Sequence, residues 1–251
     1  MKRIKTVTGG RLCYGVCYTV STARDGSAER AAKSRISSAA QERVNLRRAW
    51  QKLEMTLAAN FRRRDLHVVL TYADESLPPT RAAAVKLLRK FLGLLRRHRR
   101  GRDQVLKYIY VTEQLSAEGG RLHHHLVLNG TGADLEVICS LWPYGEVEIE
   151  RLDVWQGYEA LAKYLTKEPR EVGRSQLGAR CWTPSLGLAK PVTETETVSD
   201  HVTLAAPPGA LILDRHEERN EYGEYLYIKY WLPVRREVEK KTRPRHKRKK
   251  E

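Results

Sequence analysis

The run Arg121-Leu122-His123-His124-His125-Leu126-Val127-Leu128 places three imidazoles in an otherwise apolar segment. In a strand, successive side chains alternate between faces, so His123, His125 and Val127 share one face and Leu122, His124, Leu126 and Leu128 the other. Two imidazoles two residues apart stand roughly 7 Å from each other and can converge on one metal ion. Adjacent histidines can also be a polar strand edge, but a doublet inside a buried strand favours the metal. Glu113 closes the preceding run Ile109-Tyr110-Val111-Thr112, and directly opposed residues of an antiparallel pair share a face. A register pairing 113 with 123 sets Glu113 beside His123, and a slip of one residue turns it away. Two imidazoles and a carboxylate suit Mg2+ or Mn2+, with positions left open for substrate oxygens. Alone, Glu113 reads as a solvated strand-end carboxylate.

A second reactive group lies in Tyr158-Glu159-Ala160-Leu161-Ala162-Lys163-Tyr164-Leu165-Thr166-Lys167. Tyr158, Leu161, Ala162 and Leu165 form the core stripe of a helix, with Tyr164 at its margin. A phenol with an ordinary pKa near 10 is a poor nucleophile at neutral pH, and neighbouring Lys163 and Lys167 favour its phenolate. Without other context this is a half-buried tyrosine beside two exposed lysines.

The elements that must position these groups follow from periodicity. Ser38 to Asn60 predicts a helix, with Val44, Leu46, Ala49, Trp50, Leu53 and Leu57 recurring at helical spacing. Strands are predicted over 65–72, 105–112, 121–128 and 146–152, and helices over 80–100, 135–141 and 155–167. Pro78-Pro79 bars an earlier start to the second helix. The order β-α-β-β-α-β over 65–152 predicts an α+β, ferredoxin-like (RRM-like) antiparallel sheet with helices on one face and the other face free for a ligand. A short hairpin is expected around 12–20, a strand pair at 211–214 and 224–231, and an exposed loop over 191–209. The predicted division is an N-terminal extension (1–64), a catalytic domain (65–170), a C-terminal extension packed on it (171–232) and a disordered basic tail (233–251).

The chain has 251 residues, and 46 Lys plus Arg against 30 Asp plus Glu give it a net charge of +16. With 41% hydrophobic residues it can fill a core, which excludes a collagen-like or disordered chain. Its four cysteines are too few and too scattered for a disulfide scaffold or a zinc site, and are expected to be reduced. No apolar run approaches the roughly 20 residues of a membrane helix, and no apolar stretch follows Met1-Lys2-Arg3, so a soluble cytoplasmic protein is expected. The positive charge is concentrated in Arg62-Arg63-Arg64, in Arg96 to Arg102, and in Arg235 to Glu251, where ten basic residues face three acidic ones. Such clusters favour a polyanion through counterion release. By charge alone, RNA, DNA and anionic membrane surfaces all remain open. No Gly-x4-Gly-Lys-Ser/Thr sequence occurs, so there is no P-loop ATPase.

The strand-borne His-x-His, the upstream Glu and the downstream Tyr-x-x-Lys together resemble the HUH endonucleases, rolling-circle replication initiators of plasmids and single-stranded DNA phages. Leu70-Thr71-Tyr72-Ala73-Asp74 resembles that family's first motif. Ala179 to Pro191 is similar to a block that follows the catalytic helix in microvirus-like and mobile-element initiators. The resemblance implies that His123 and His125, with Glu113, hold a divalent metal, and that Tyr164, partnered by Lys167, attacks a DNA phosphodiester. It implies a metal-dependent nickase and strand transferase forming a 5′-phosphotyrosine intermediate at an origin. The DNA would be single-stranded or an origin hairpin, held by Lys163, Arg96, Arg97, Arg99, Arg100, Arg121, Arg180 and Lys190. A separate helicase and a host polymerase would complete replication, in a bacterial cell carrying the plasmid, phage or integrated element. The family's second tyrosine, where present, lies one turn earlier; here that position is Ala160, which implies a single-tyrosine enzyme. The middle residue of the histidine motif, usually hydrophobic, is His124, which needs a partner if it faces the core. A relaxase or a single-strand transposase would use the same chemistry. An RRM-like module presenting Tyr108 and Tyr110 to single strands would bind without cleaving.

Overall fold

Leu66, Val68 and Leu70 alternate with His67 and Val69, so the strand β3 (Leu66–Leu70) has two chemically different faces. In a computed structural model, which describes residues 1–20, 39–114, 120–155, 157–167, 180–220 and 223–233, this strand lies inside an antiparallel sheet. The same sheet contains β4 (Tyr108–Glu113), β5 (His123–Leu128) and β6 (Val147–Arg151), and a two-residue strand β7 (Thr183–Pro184) extends it. The order is β6-β3-β5-β4-β7, with helix α2 (Arg81–Arg100) between β3 and β4 in the chain and α3 (Leu135–Leu141) between β5 and β6. This is the ferredoxin-like α+β arrangement.

Helix α2 begins where Thr80 accepts a hydrogen bond from Ala83 N at 3.2 Å, an N-cap directly after the proline pair. It buries Ala84, Leu88, Phe91, Leu92 and Leu95. These pack with Leu70, Leu122, Leu126, Leu128, Ile138 and Trp142 into one core. Tyr110 and Tyr108 belong to this same covered face, which removes them as an open stacking platform of the RRM kind.

The opposite face is not free, contrary to the expectation from sequence. Ile109, Val111 and Val127 are buried there beneath Leu53, Leu57 and Phe61 at and just after α1 (Ala39–Asn60) and Tyr158, Ala162 and Leu165 of the α4 segment (Glu159–Leu165). Both helices carry apolar stripes that need a surface, and the lower part of this face supplies it. His67, His123, His125 and Glu113 lie on this same face, with Glu113 and His125 buried and His67 and His123 half-buried. Helix α4 starts at Glu159, four residues later than expected, with Tyr158 as its N-cap residue.

A second five-stranded sheet joins the two ends of the chain in the order β8-β1-β2-β10-β9. Its strands are β1 (Lys2–Gly9), β2 (Leu12–Thr19), β8 (Val192–Val198), β9 (Leu211–Asn220) and β10 (Gly223–Trp231). The N-terminal hairpin therefore turns at Gly10-Arg11 rather than lying within 12–20, and part of the expected 191–209 loop is an edge strand paired with β1. The Thr-Glu alternation of β8 hides its strand character because neither of its faces is apolar. The two layers meet closely: a Cβ at Gly9 would lie 2.2 Å from the Met55 carbonyl oxygen, and one at Gly10 2.5 Å from that of Ala58. Glycine is needed where β1 turns against α1. Lys229 of β10 reaches Glu54 of α1 at 3.2 Å and also pairs with Glu159 of α4, tying this sheet to the first turn of α4. Among the described residues no helix is long and apolar enough to cross a membrane.

Candidate metal and nucleophile site

The register of β4 and β5 pairs Glu113 with His123 and Val111 with His125, so the carboxylate and both imidazoles face the same side. Glu113 Oε2 lies 3.0 Å from His125 Nε2 and 3.6 Å from His123 Nε2. One potential ligand atom from each of the three residues falls within 4.8 Å of the others. His123 Nδ1 stands 3.0 Å from the Arg121 carbonyl. A carbonyl only accepts, so Nδ1 carries a proton, and Nε2 faces Glu113: it donates to the carboxylate when the ring is charged and can ligate a cation when the ring is neutral.

The donor set fits a divalent cation on a direct physical ground. His125 Nε2 is buried and makes no hydrogen bond, although buried polar atoms are otherwise almost always paired. A lone pair on His125 Nε2 facing a carboxylate oxygen at 3.0 Å repels unless a proton or a metal ion lies between them. Burial works to raise the Glu113 carboxyl, yet His123, His125 and Lys167 together hold it well below the usual carboxylate range. It is therefore an anion ready to coordinate. A small anion with two imidazoles on adjacent strands is suited to a hard or borderline ion.

Tyr164 and Lys167 reach the same place from the end of α4. The Tyr164 ring stands edge-on to His125, with centroids 5.1 Å apart, and 42% of the side chain is exposed. Lys167 Nζ lies 4.2 Å from the Tyr164 ring centroid and 3.1 Å from Glu113 Oε1. Burial alone would lower the Lys167 ammonium, but Glu113 and Tyr164 raise it above its ordinary value, so it stays charged. Lys163 does not join this group: it pairs with Glu159 and lies 4.9 Å from the Trp50 ring centroid.

His67 also belongs to the site, although in the sequence it reads only as one polar residue in a Leu-Val run. Its Nε2 is 3.3 Å from His125 Nδ1, its ring stacks on that of His125, and Tyr164 stands edge-on to it. Burial, then the neighbouring His125, pushes it down to about 4, so it is neutral near pH 7. For His125 to offer Nε2 to a metal, Nδ1 must carry the proton and His67 Nε2 must accept it. An outer partner of that kind fixes a ligand's tautomer and ring orientation. Alternation along β3 puts residue 67 on the face of residue 69, but which strand lies beside it is a tertiary fact.

His124 has the opposite environment. It is 0% exposed, with Nε2 2.7 Å from the Tyr72 hydroxyl and Nδ1 2.9 Å from Thr112 Oγ1. The Tyr72 hydroxyl donates to the Ala84 carbonyl, so it accepts from His124 Nε2–H, and Nδ1 accepts from Thr112. Burial, then the charges of His123 and His125, pushes His124 down to about 3. This is the partner set that a polar residue on the core face requires.

The cationic residues expected on DNA are dispersed. Arg121 pairs with Asp74 and donates to the Tyr72 carbonyl beside the site. Arg180 and Lys190 are exposed. Arg99 is a correction: it is 1% exposed and its guanidinium binds Asp134 at 2.9 Å and Asn129 at 2.7 Å, so it cannot face a ligand. Arg96, Arg97 and Arg100 are exposed, but they lie at the far end of the sheet from Glu113 and on its α2 side. The basic tail lies outside the described residues.

Residues 65–169 match the family model for replication-associated proteins of the ORF2 and gene-2-protein type. No curated protein and no solved structure matches the chain significantly. The matched segment runs from β3 to just past α4 and contains every residue of the Glu113–His123–His125 and Tyr164–Lys167 groups. Over that segment the chain is similar to replication-associated proteins of this type.

Proposed function

We propose that this protein, similar over residues 65–169 to replication-associated proteins, starts rolling-circle replication by nicking single-stranded or hairpin origin DNA through Tyr164. The observation that carries the reading is the convergence of Tyr164, Lys167, Glu113, His123 and His125 within one patch of the sheet, although they come from three separate parts of the chain. Glu113, His123 and His125 would hold Mg2+ or Mn2+. Such an ion supplies Lewis-acid polarisation of the scissile phosphate when bound.

The chain's own residues account for the rest. Tyr164 stands exposed beside the ligand group, where a phosphate can approach its hydroxyl. The Lys167 ammonium, beside the Tyr164 ring, neutralises charge on the phosphoryl oxygens. In the covalent step, Tyr164 Oη forms a bond to phosphorus as the bond from phosphorus to the 3′-oxygen breaks. The phenolic proton passes through solvent to that oxygen, leaving a free 3′-hydroxyl and a 5′-phosphotyrosine. The new ester is close in energy to the old, so the same site can reseal the strand. With Ala160 one turn before Tyr164, a single tyrosine serves each subunit. His67 holds His125 in the ligating tautomer. Arg121, Arg180 and Lys190 are candidate contacts for the bound strand, and unwinding requires a separate helicase and synthesis a polymerase. A relaxase or transposase would use the same groups; the replication family favours initiation.

The test is to trap the protein on oligonucleotides from its own replicon, digest it, and identify the nucleotide-bearing peptide by mass spectrometry. The expected peptide contains Tyr164, and Tyr164→Phe yields no adduct. An adduct that persists in Tyr164→Phe contradicts the assignment.

A further inference from the structure

The row Arg151–Leu66–Leu128–Tyr108 closes the central sheet at the end away from the site. It is separated from the Glu113–His123 row by five residues of β5, roughly 17 Å at the strand rise, while His67 of the site stands on the next row, opposite Val127 and on the other face from Leu66. Four loops gather at this end. Asp65 Oδ1 accepts from Gly130 N, and the Asp65 carbonyl accepts from Leu152 N. Asn129 Oδ1 accepts from both Lys107 N and the Arg99 guanidinium, which locks the end of α2 against them. Two arginine clusters far apart in sequence, Arg62–Arg64 and Arg96–Arg102, are thereby brought to one end of the sheet, with Arg151 on the edge strand β6 beside the first.

The result is a strongly cationic surface. Arg63, Arg64, Arg97, Arg100, Arg102 and Arg151 are all exposed, against Asp103, Glu136 and Asp153 as the exposed acids of these loops and the α3 start, and Glu150 one row further in on β6. Buried Arg99 serves as the strut beneath it, paired with Asp134. Trp155 is 68% exposed, with the Arg63 guanidinium 4.7 Å from its ring centroid. None of these groups touches the ligand cluster or Tyr164, so the nicking chemistry leaves this end unexplained.

We infer that this end of the sheet is a second DNA-binding surface, gripping the phosphate backbone of duplex DNA next to the nicked segment. The proposal rests on the nicking reading for its biological setting but not for its chemistry. A dispersed array of arginines spanning both the α1 and the α2 side of the sheet matches regularly spaced duplex phosphates. A single-strand channel would instead present a succession of stacking aromatics, and Trp155 is the one strongly exposed aromatic ring on these described loops.

The experiment measures fluorescence anisotropy of a labelled hairpin duplex and of a single strand of equal length, both in EDTA so that no cleavage is required. Wild type is compared with Arg64→Gln/Arg97→Gln/Arg100→Gln and, separately, with Arg63→Gln/Arg151→Gln, each checked for unchanged thermal unfolding. The triple variant is expected to lose at least about 10-fold in duplex affinity. Its plot of log affinity against log salt should flatten by about 2 to 3, from the slope of roughly 0.9 per phosphate contact, with a smaller change on the single strand. Unchanged duplex affinity and slope in both variants would overturn the proposal. An equal loss on both DNAs would overturn its duplex assignment. A wild type that binds duplex through these arginines but forms no tyrosine adduct would remove the nicking reading and leave this surface standing.

Discussion

His124 and His125 are neighbours on one strand, and the sheet separates them into two kinds of chemistry. His124 faces α2, sealed between Tyr72, Thr112 and Trp142, with both ring nitrogens bonded to hydroxyls. His125 faces Glu113, His67 and Tyr164, with Nε2 buried and not hydrogen-bonded. The same side chain is thus a satisfied core group on one face and, on the other, one of three groups that could hold a metal ion. What distinguishes them is what the neighbouring strands set opposite: hydroxyls that can both donate and accept, or a carboxylate that can only accept.

Substitutions that exchange these roles give the sharpest comparison. His125→Ala should weaken Mn2+ binding by more than about 100-fold, read by electron paramagnetic resonance of free Mn2+, because it removes a direct ligand. Next in size is the buried charge cluster behind α4. Lys229→Met leaves Glu54 and Glu159 without the cation that bridges them, and should cost about 3 kcal/mol or more in urea unfolding. A loss below about 1 kcal/mol would mean that water reaches the cluster. His67→Leu removes the acceptor from His125 Nδ1 and should weaken Mn2+ binding by about 10- to 100-fold, with His67→Gln recovering part of it through its amide oxygen. Equal loss in both variants would show that His67 acts through packing alone. The smallest effect is expected at His124→Leu, which leaves Thr112 Oγ1 without its partner. It should cost about 1 to 2 kcal/mol of stability while Mn2+ affinity stays within about twofold. A large loss of metal affinity there would break the distinction between the two faces.

The charge cluster also carries a pH signature. Burial works against the Glu159 carboxylate, but its pairs with Lys163 and Lys229 hold it below 4.5, so its contribution is complete above that value and is lost as pH falls through the lower folded value. Burial likewise works against the Lys229 ammonium, but Glu159 and Glu54 hold it above 10.5, so its contribution is complete below 10.5 and lost as pH rises through the folded value. Glu54 behaves differently: burial dominates and raises it despite Lys229, so it protonates before an exposed glutamate would. The stabilisation from Glu159 and Lys229 therefore spans the range between those limits, and Lys229→Met should flatten the alkaline fall-off in a series of thermal unfolding curves.

Local periodicity makes the central sheet legible. Strand alternation determines which of the three histidines share a face, and the helix stripes locate α2 and α3. Glu113 is recognisable because it ends a strand that a hairpin must lay beside β5. What escapes is set by long-range contact. His67 joins the site only because β3 lies next to β5, and Arg99 leaves the surface only because Asp134 and Asn129 arrive beneath it. The covering of the sheet's second face by α1 and α4 depends on where the N-terminal helix docks. Strand β8 is hidden for another reason: an edge strand with two polar faces carries none of the apolar alternation by which strands are recognised.

The most direct test of the central claim incubates the intact protein with oligonucleotides tiling its own replicon, in Mn2+ and in EDTA, and resolves the products on denaturing gels. The account predicts a covalent protein–DNA band that appears with Mn2+, disappears in EDTA and is absent in His125→Ala. A complete tiling that binds the protein yet yields no such band, or a band indifferent to EDTA, would contradict it.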